Sequence, residues 1–187
     1  MDVMDAIYHR RAVREFTDEP VDRETVRFVI AAAVQAPSAM NRQPWSFVVV
    51  EDQAALERYS SKAKAHLLET VPESTPLGHY RTLLAEPGFH IFYHAPAVIV
   101  ICATSVEEGT SEDCCLAAEN LMLAAHSAGL GTCWIGFARS WLDLAEGRKE
   151  LGIPAHYVPV APIAIGHPKG PTPPVPRRHA DVLWVGS

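Results

Sequence analysis

The pattern of apolar and polar positions along the chain predicts five helices and four strands. Apolar residues recur every three or four positions, as on one side of a helix, in the ranges 2–8, 22–35, 53–68, 111–128 and 140–151. Shorter runs rich in β-branched and aromatic residues predict strands at 46–50, 97–103, 132–137 and 157–165. Because helices and strands alternate, we expect an α+β or α/β fold.

Capping signals support two of these helices. Asp22 is a natural N-cap for the second helix. The apolar stripe of that helix would consist of Val26, Val29, Ile30 and Ala33. Gly129 and Gly131 follow the helix at 111–128, where glycine commonly ends a helix, and we expect both to act there.

The helix at 111–128 is apolar on almost every side. Its apolar residues are Cys114, Cys115, Leu116, Ala117, Ala118, Leu121, Met122, Leu123, Ala124 and Ala125. A helix that is apolar all round has to be buried all round. In a chain of this size, that favours a helix packed against a partner subunit. The alternative is a helix at the centre of a single subunit.

Composition limits the class of protein. The chain has 187 residues, and we expect 1–187 to form one domain with a proline-rich strap at 168–187. A net charge of −6 argues against nucleic-acid binding by the chain as a whole. Residues 1–5 lack the basic and apolar regions of a secretory signal. The apolar run at 89–106 contains histidines and a proline, which indicates a turn and a buried strand rather than a membrane span.

The four cysteines, Cys102, Cys114, Cys115 and Cys133, all have apolar neighbours in the sequence. The vicinal pair cannot bridge without strain, and no CxxC spacing is present. We therefore expect reduced cysteines in the core of a cytoplasmic protein.

A cluster of arginines near the N-terminus is the first candidate binding site. Arg10, Arg11 and Arg14 lie within five positions, and like charges repel by roughly 0.2–0.5 kcal/mol per helical pair. A bound anion would offset that repulsion, and arginine matches phosphate or carboxylate with two parallel hydrogen bonds. The alternative is a solvated surface, partly neutralised by Glu15, Asp18 and Glu19.

Three further segments offer polar groups to a ligand. The first is the loop PSAMNRQP at 37–44, which its prolines stiffen. Its polar side chains, Ser38, Asn41 and Gln43, could form hydrogen bonds with the edge of a planar heterocycle. Alternatively, they could cap the preceding helix and satisfy the turn. Gly136, inside a strand pattern, marks a bulge or a close approach of the backbone to a ligand or another element. The strap could hold the Arg177–Arg178 pair in place, or the pair could belong to a mobile tail.

His90 and His94, with Glu86 four residues before His90, raise the possibility of a metal site. The surrounding segment is aromatic and rich in β-formers, and it contains no obvious third ligand. We therefore predict no metal and a structural role for both histidines.

Four motifs in order resemble the FMN-dependent nitroreductase family over essentially the whole chain. RRAVREF at 10–16 is similar to the family's RRSxRxF, and PSAMNRQPW at 37–45 is similar to PSxxNxQPW. The GLG segment at 129–131 and a basic pair after a proline-rich stretch follow in the same order. The resemblance implies an α+β homodimer whose central mixed or antiparallel sheet is flanked by helices. Two FMN sites would be shared between the subunits.

The resemblance also implies which residues hold FMN. Arg10 and Arg14 would bind near its phosphate and its pyrimidine edge, with Arg11 and Ala12 beside them. Ile135 and Gly136 would present backbone to the isoalloxazine, and Arg177 or Arg178 would clamp the phosphate. From the other subunit would come Pro37, Ser38, Ala39, Asn41 and Gln43. Ala12 replaces a family serine, which would weaken FMN binding by about 1 kcal/mol if a neutral hydrogen bond is lost.

By resemblance, the activity would be transfer of two electrons from NAD(P)H through FMN to a nitroaromatic, a quinone or a similar small molecule. No side chain is assigned as a catalytic group. The alternatives are flavin remodelling, reductive dehalogenation, or a flavin-binding dimer with little turnover. The range 60–90 matches no family motif, and it would shape the substrate side of the site.

Overall fold

The computed structural model describes residues 1–186, in which seven α-helices and four β-strands form. The helices are α1 (Val3–His9), α2 (Arg23–Ala33), α3 (Gln53–Thr70), α4 (Arg81–Ala85), α5 (Thr110–Ser127), α6 (Arg139–Leu142) and α7 (Ala145–Glu150). The strands are β1 (Trp45–Val50), β2 (Ala97–Ala103), β3 (Gly131–Trp134) and β4 (Val158–Gly166). Asp22 caps α2 as predicted, because its carboxylate accepts the backbone N–H of Thr25 at 2.9 Å.

The four strands form one antiparallel sheet in the order β1-β2-β4-β3. β2 is buried along its whole length, and β4 is buried everywhere except at Val158. An isolated parallel bridge between Ala12 and Thr132 joins the N-terminal segment to the edge strand β3. The α+β architecture predicted from the sequence is therefore present.

Alternate side chains of β2 enter two separate cores, one on each face of the sheet. Ile99 and Ile101 pack with residues of α2 and α5. Val98 and Val100 pack with residues of α3 and α6. The sheet is thus the middle layer between two groups of helices, and α5 lies against one face of it.

The helix α5 is not buried all round within one chain. Leu116 is 47% exposed and Cys115 is also exposed, while Leu123 and Ala124 are half-buried. The side that faces the sheet and α2 is buried, including Cys114, Ala117, Ala118 and Leu121. A single chain therefore leaves an apolar stripe of α5 uncovered, as the two-subunit interpretation requires.

The predicted helix at 140–151 is wrong, because the chain breaks there into α6 and α7. Leu144 is extended between them, with ψ at 151°. Gly147 lies so close to the preceding turn that an added Cβ would sit 2.3 Å from the backbone oxygen of Trp141. The apolar periodicity continues across this break because both short helices pack on the core, so the pattern alone does not reveal it.

The cysteines differ from expectation at one position. Cys102, Cys114 and Cys133 are buried, but Cys115 is exposed, and all four are free thiols. Burial raises the pKa of Cys102 and of Cys114 to about 12, which keeps both thiols protonated near neutral pH.

The run at 89–106 forms a turn followed by β2, as predicted. Within residues 1–186, no helix is both long and apolar enough to cross a membrane.

Candidate functional site

The arginine segment is fixed against the edge of the sheet. The backbone N–H of Val13 donates to the carbonyl of Thr132 in β3 at 2.9 Å. Gly131 makes this approach possible, because a Cβ there would lie 2.7 Å from Val13 Cβ. Gly129 ends α5 with φ at 80°, as expected. Gly131 does not, which corrects the prediction that both glycines serve as caps.

The first part of the strap runs alongside the arginine segment. Thr17 N donates to His167 O at 2.9 Å, and Lys169 N donates to Glu15 O at 3.0 Å. From residue 171 to 186 the chain is exposed and forms neither helix nor strand. The start of the predicted strap is thus bonded to the arginine segment, while its later residues are exposed.

Between the strap and the arginine segment lies a cavity of about 640 Å³, which we call the arginine cavity. It is lined by Arg10, Arg11, Ala12, Val13, Arg14, Glu15, Gly170, Pro171, Thr172, Pro173, Val175 and Arg177. Four guanidinium groups thus face one carboxylate, a strong local excess of positive charge in an acidic chain. Arg178 is exposed and is not among the lining residues.

The cavity arginines are only partly neutralised by the protein. Arg10 Nε lies 3.4 Å from Glu119 Oε1 of α5. Arg11 donates to the backbone oxygens of Tyr8 and Arg10 and so caps α1. In residues 1–186, the buried Nε of Arg11 makes no hydrogen bond, and the Arg10–Glu119 pair compensates charge without meeting hydrogen-bond geometry. The proposed neutralisation by Glu15, Asp18 and Glu19 is wrong for Arg10, whose ion pair is with Glu119 instead.

A second cavity, of about 540 Å³, adjoins the first through Arg14, which lines both. We call it the aromatic cavity, because five of its lining residues are Tyr80, Phe89, Tyr93, Trp134 and Phe137. The Phe137 ring packs edge to face against Tyr80 and Phe89, with ring centres 5.5 Å and 6.1 Å apart. The Arg14 guanidinium carbon lies 5.9 Å from the centre of the Tyr93 ring. Among residues 1–186, Arg14 is the only charged residue that lines this second cavity.

Arg14 and Tyr93 influence each other electrostatically. Burial alone would lower the pKa of the Arg14 guanidinium, but neighbouring Cys133 and Tyr93 raise it above its ordinary value. Burial raises the pKa of the Tyr93 hydroxyl, and Arg14 partly opposes that rise. At neutral pH the pair is therefore a cation beside a neutral phenol.

Ile135 and Gly136 bring the end of β3 to the same cavity. Ile135 is 2% exposed and donates its N–H to Pro162 O at 2.8 Å. The strand ends at Trp134, three residues earlier than predicted, and Gly136 starts a 3₁₀ turn. A Cβ at Gly136 would meet nothing within 4 Å. Packing within residues 1–186 therefore does not require this glycine, and the backbone there is open to a ligand.

The loop at 37–44 lies elsewhere in the chain and lines neither cavity. Three of its non-glycine residues are left-handed, with φ at 54° for Met40, 54° for Asn41 and 50° for Gln43. Ser38 Oγ accepts the N–H of Gln43 at 2.9 Å, and Gln43 Nε2 donates to Asn41 Oδ1 at 3.1 Å. Both carboxamides are exposed and retain free hydrogen-bonding capacity for a ligand.

Sequence reasoning missed two groups of residues near these segments. The aromatic residues at 80 and 89 lie in the range for which no motif was found, Tyr93 follows it, and only the fold brings all three to the cavity that Arg14 lines. Asp113 of α5 accepts the N–H of Ala39 at 3.1 Å, across 74 positions of sequence. Its sequence signal was weak, because Asp113 follows Glu112 at the polar start of a helix whose remaining residues are mostly apolar.

The histidine pair has a third neighbour, Glu57 of α3 rather than Glu86. The rings of His90 and His94 stack at 4.4 Å, and Glu57 Oε2 lies 3.5 Å from His90 Nε2. However, His90 Nδ1 accepts the N–H groups of Phe92 and His94 at 3.2 and 3.3 Å. By this hydrogen-bond pattern, the proton of the neutral ring is on Nε2. A ligating Nε2 would need that proton on Nδ1, so the arrangement supports the turn rather than a metal.

Comparison with known proteins gives matches that agree with this geometry. A family model described as the Nitroreductase family matches residues 7–167. The chain is 34% identical over 173 residues to a Methanothermobacter thermautotrophicus protein provisionally named NADH dehydrogenase/NAD(P)H nitroreductase, covering 90% of this chain and 78% of that one. It is 32% identical over 186 residues to the 5,6-dimethylbenzimidazole synthase of Rhodospirillum rubrum, covering 90% and 83%.

The fold is also similar to a crystal structure of a nitroreductase with bound FMN from Desulfitobacterium hafniense. The TM-score is 0.85 at 27% identity, and the match covers all of both chains.

Proposed function

The chain belongs to the nitroreductase family and is an FMN-dependent NAD(P)H oxidoreductase, and we propose that its electron acceptor is a nitroaromatic, a quinone or a similar small molecule. FMN, held by the residues described below, would supply the two-electron chemistry between NAD(P)H and the acceptor. The protein binds, orients and shields the reacting groups, and no side chain has to act as a nucleophile.

The donors of the arginine cavity fit the phosphate of FMN. The buried Nε of Arg11 makes no hydrogen bond in the described chain, and that of Arg10 has only the Glu119 carboxylate nearby, outside hydrogen-bond geometry. Phosphate oxygens would give both a hydrogen bond. We assign Arg10, Arg11 and Arg177 to the phosphate. Arg177 is a better candidate than Arg178 because it lines the cavity. Ala12 would contribute backbone only, since it lacks the family's hydroxyl.

Arg14 is assigned to the pyrimidine edge of the flavin, because it lies where the two cavities meet. A guanidinium there would stabilise negative charge at that edge. Ile135 and Gly136 would place backbone beside the ring system, where an open surface is available. This shared position of Arg14 is the observation that supports the proposal most strongly.

We propose a homodimer in which a second copy completes each site. The loop residues Pro37, Ser38, Ala39, Asn41 and Gln43 do not line the cavities of their own chain. Exposed apolar residues of α5, α1 and the C-terminal segment form a surface of the kind that a partner protein buries. Those exposed residues are Val3, Met4, Ile7, Tyr8, Leu116, Val182, Leu183, Trp184 and Val185. The four free cysteines suit a cytoplasmic location.

The aromatic cavity is proposed as the acceptor site. Aromatic rings in edge-to-face contact favour a flat aromatic or quinonoid molecule, which they can stack against. The cavity contains Tyr80 and Tyr93 hydroxyls but no carboxylate. It therefore has hydrogen-bond donors for nitro or quinone oxygens and nothing that would repel them.

An absorbance spectrum of the purified protein under anaerobic conditions tests this proposal. Flavin bands that bleach on adding NADPH or NADH, and return on adding a quinone, would support it. Bands that persist with both nucleotides would contradict it. Sedimentation equilibrium of the flavin-loaded protein tests the homodimer, which a flavin-loaded monomer would rule out.

A second candidate function is a different redox role on the same flavin. The similarity to a 5,6-dimethylbenzimidazole synthase favours it. Chromatography of the flavin after turnover distinguishes the two functions. FMN recovered unchanged supports the acceptor reductase, whereas loss of FMN with appearance of a new product supports flavin remodelling.

A further inference from the structure

The conformation of the loop at 37–44 has to be held in place by other parts of the chain. Met40, Asn41 and Gln43 all have φ between 50° and 54°, a region that residues with a Cβ seldom occupy. Such backbone persists only when the surrounding structure fixes it. The loop has internal hydrogen bonds at Ser38 and Asn41, but these residues are themselves part of the strained segment.

The external contacts of the loop come from the end of β2, where Thr104 N–H donates to Pro44 O at 3.0 Å, and from α5 and the residues just before it. Arg42 bonds to Glu107 and to the backbone oxygen of Glu108. Cys114 Sγ lies 3.8 Å from Pro44 O, and Asp113 Oδ1 accepts the N–H of Ala39 at 3.1 Å. The Arg42 pair is exposed and screened by solvent. Among these contacts, the bond from Ala39 combines a charged acceptor with burial, since the Asp113 carboxylate is only 5% exposed.

Asp113 is in the first turn of α5, where the helix dipole favours a carboxylate, but its burial is unusual. It lies on the buried side of α5, among Cys114, Ala117 and Ala118. Its second oxygen, Oδ2, has no hydrogen-bond partner among residues 1–186. A buried carboxyl oxygen without a donor is costly, which calls for a compensating role at this site.

We infer that Asp113 is a positioning residue of the flavin site: by accepting the N–H of Ala39 it fixes the loop in the shape that faces FMN. This inference rests on the proposed function, in which residues 37–43 contact FMN of the other subunit. Ala39 thus offers its small side chain rather than its N–H to a ligand, because the N–H is already used. The same helix also presents the uncovered apolar stripe, so loop position and subunit packing depend on one element.

Titration of the flavin-free protein with FMN, followed by fluorescence, measures the effect of three variants. Asp113→Ala should weaken FMN binding about tenfold, as expected for loss of one charge-assisted hydrogen bond. Asp113→Asn should bind within about threefold of the wild type, because it keeps an acceptor for Ala39. Glu112→Ala, an exposed neighbour on the same helix, is the matched control and should bind like the wild type.

Ala39→Pro removes the donor instead of the acceptor. Ser38 is extended and Ala39 is the first residue of a 3₁₀ turn, so proline fits the backbone there. Ala39→Pro should weaken FMN binding as much as Asp113→Ala does. The double variant should be no worse than either single one, because both remove the same bond. If Asp113→Ala does not fold, Ala39→Pro alone tests the same bond.

Trypsin cleavage after Arg42 in the flavin-free protein is a readout that does not depend on flavin. Faster cleavage in Asp113→Ala and wild-type rates in Asp113→Asn would support the inference. If the wild type does not bind FMN at all, the proposed function fails while the cleavage assay still tests the loop. If the wild type binds FMN and Asp113→Ala binds it equally tightly, the inference is wrong. Equal weakening by Asp113→Ala and Asp113→Asn would also overturn it, because loss of the Ala39 bond would not be the cause.

Discussion

The arginine cavity and the aromatic cavity share Arg14, yet the chain builds them in opposite ways. The first combines a short N-terminal segment with the adjoining strap, and its groups are charged. The second gathers residues from three separate parts of the chain, and its groups are mainly aromatic. Charge recognition can be placed on flexible or exposed segments because it acts over several ångströms. Recognition by shape needs rigid walls, which only packed elements provide.

Acidification should weaken the wall of the aromatic cavity, and this is the largest effect that we expect. Burial, and then nearby His94, lower the pKa of His90 from 6.5 to about 4. Between these values the unfolded chain binds more protons than the folded one, so stability falls as pH falls through this window. Protonation would also remove the acceptor that Phe92 and His94 N–H groups use.

The expected loss of unfolding free energy is on the order of 3 kcal/mol across that window. Urea denaturation at the two ends of the window measures it. His90→Gln should lose this part of the pH dependence while remaining less stable near neutral pH. If that variant keeps the pH dependence of the wild type, His90 is not the group whose protonation lowers the stability.

Substitution of Arg14 removes the one side chain that lines both cavities. Arg14→Ala should raise the FMN dissociation constant roughly 10- to 100-fold, since a hydrogen bond with a charged partner contributes about 1.5–3 kcal/mol. Arg14→Lys keeps the charge but loses the planar fork, so it should be intermediate. Fluorescence titration with FMN provides the measurement, and an unchanged dissociation constant in Arg14→Ala would exclude Arg14 from the site.

Gly131→Ala tests how the arginine segment is held without touching any arginine. The added Cβ would lie 2.7 Å from Val13 Cβ. We expect a loss of about 1–3 kcal/mol of unfolding free energy from overpacking, with weaker FMN binding as the segment moves. Adding Val13→Ala removes the two γ-methyl contacts but keeps the Cβ, so it should restore only part of both losses. Failure of this second change to rescue the first would show that close contact with Val13 is not the reason for the glycine.

Substitution of Phe137 should have the smallest effect, and it tests whether the aromatic cavity acts on the acceptor independently of FMN binding. Phe137→Leu should lower kcat/KM for a quinone by roughly 2- to 10-fold, because an aromatic pair contributes about 0.5–1.5 kcal/mol beyond its buried area. FMN affinity should not change.

Arg177→Ala should do the reverse, weakening FMN binding while the KM for the quinone stays the same. A variant that changed both quantities equally would contradict the division of roles between the cavities.

The sequence by itself determined the elements whose signals are local. Asp22 caps α2 through a bond to Thr25, and Gly129 ends α5. Both depend on contacts within about four residues, which a linear pattern displays. The arginine cluster was equally visible, because Arg10, Arg11 and Arg14 are neighbours in sequence and reach one cavity together.

Only the tertiary structure decided the break between α6 and α7, the aromatic cavity and the Asp113–Ala39 bond. Each depends on atoms that are distant along the chain or hidden by a continuous apolar pattern. The break at Leu144 leaves the apolar periodicity intact, and Gly147 shows its role only against the Trp141 carbonyl. Tyr80 and Tyr93 reach Arg14, and Ala39 reaches Asp113, because the sheet fixes where the connecting segments lie. Local pattern specifies which element forms, while packing between elements specifies which side chains meet.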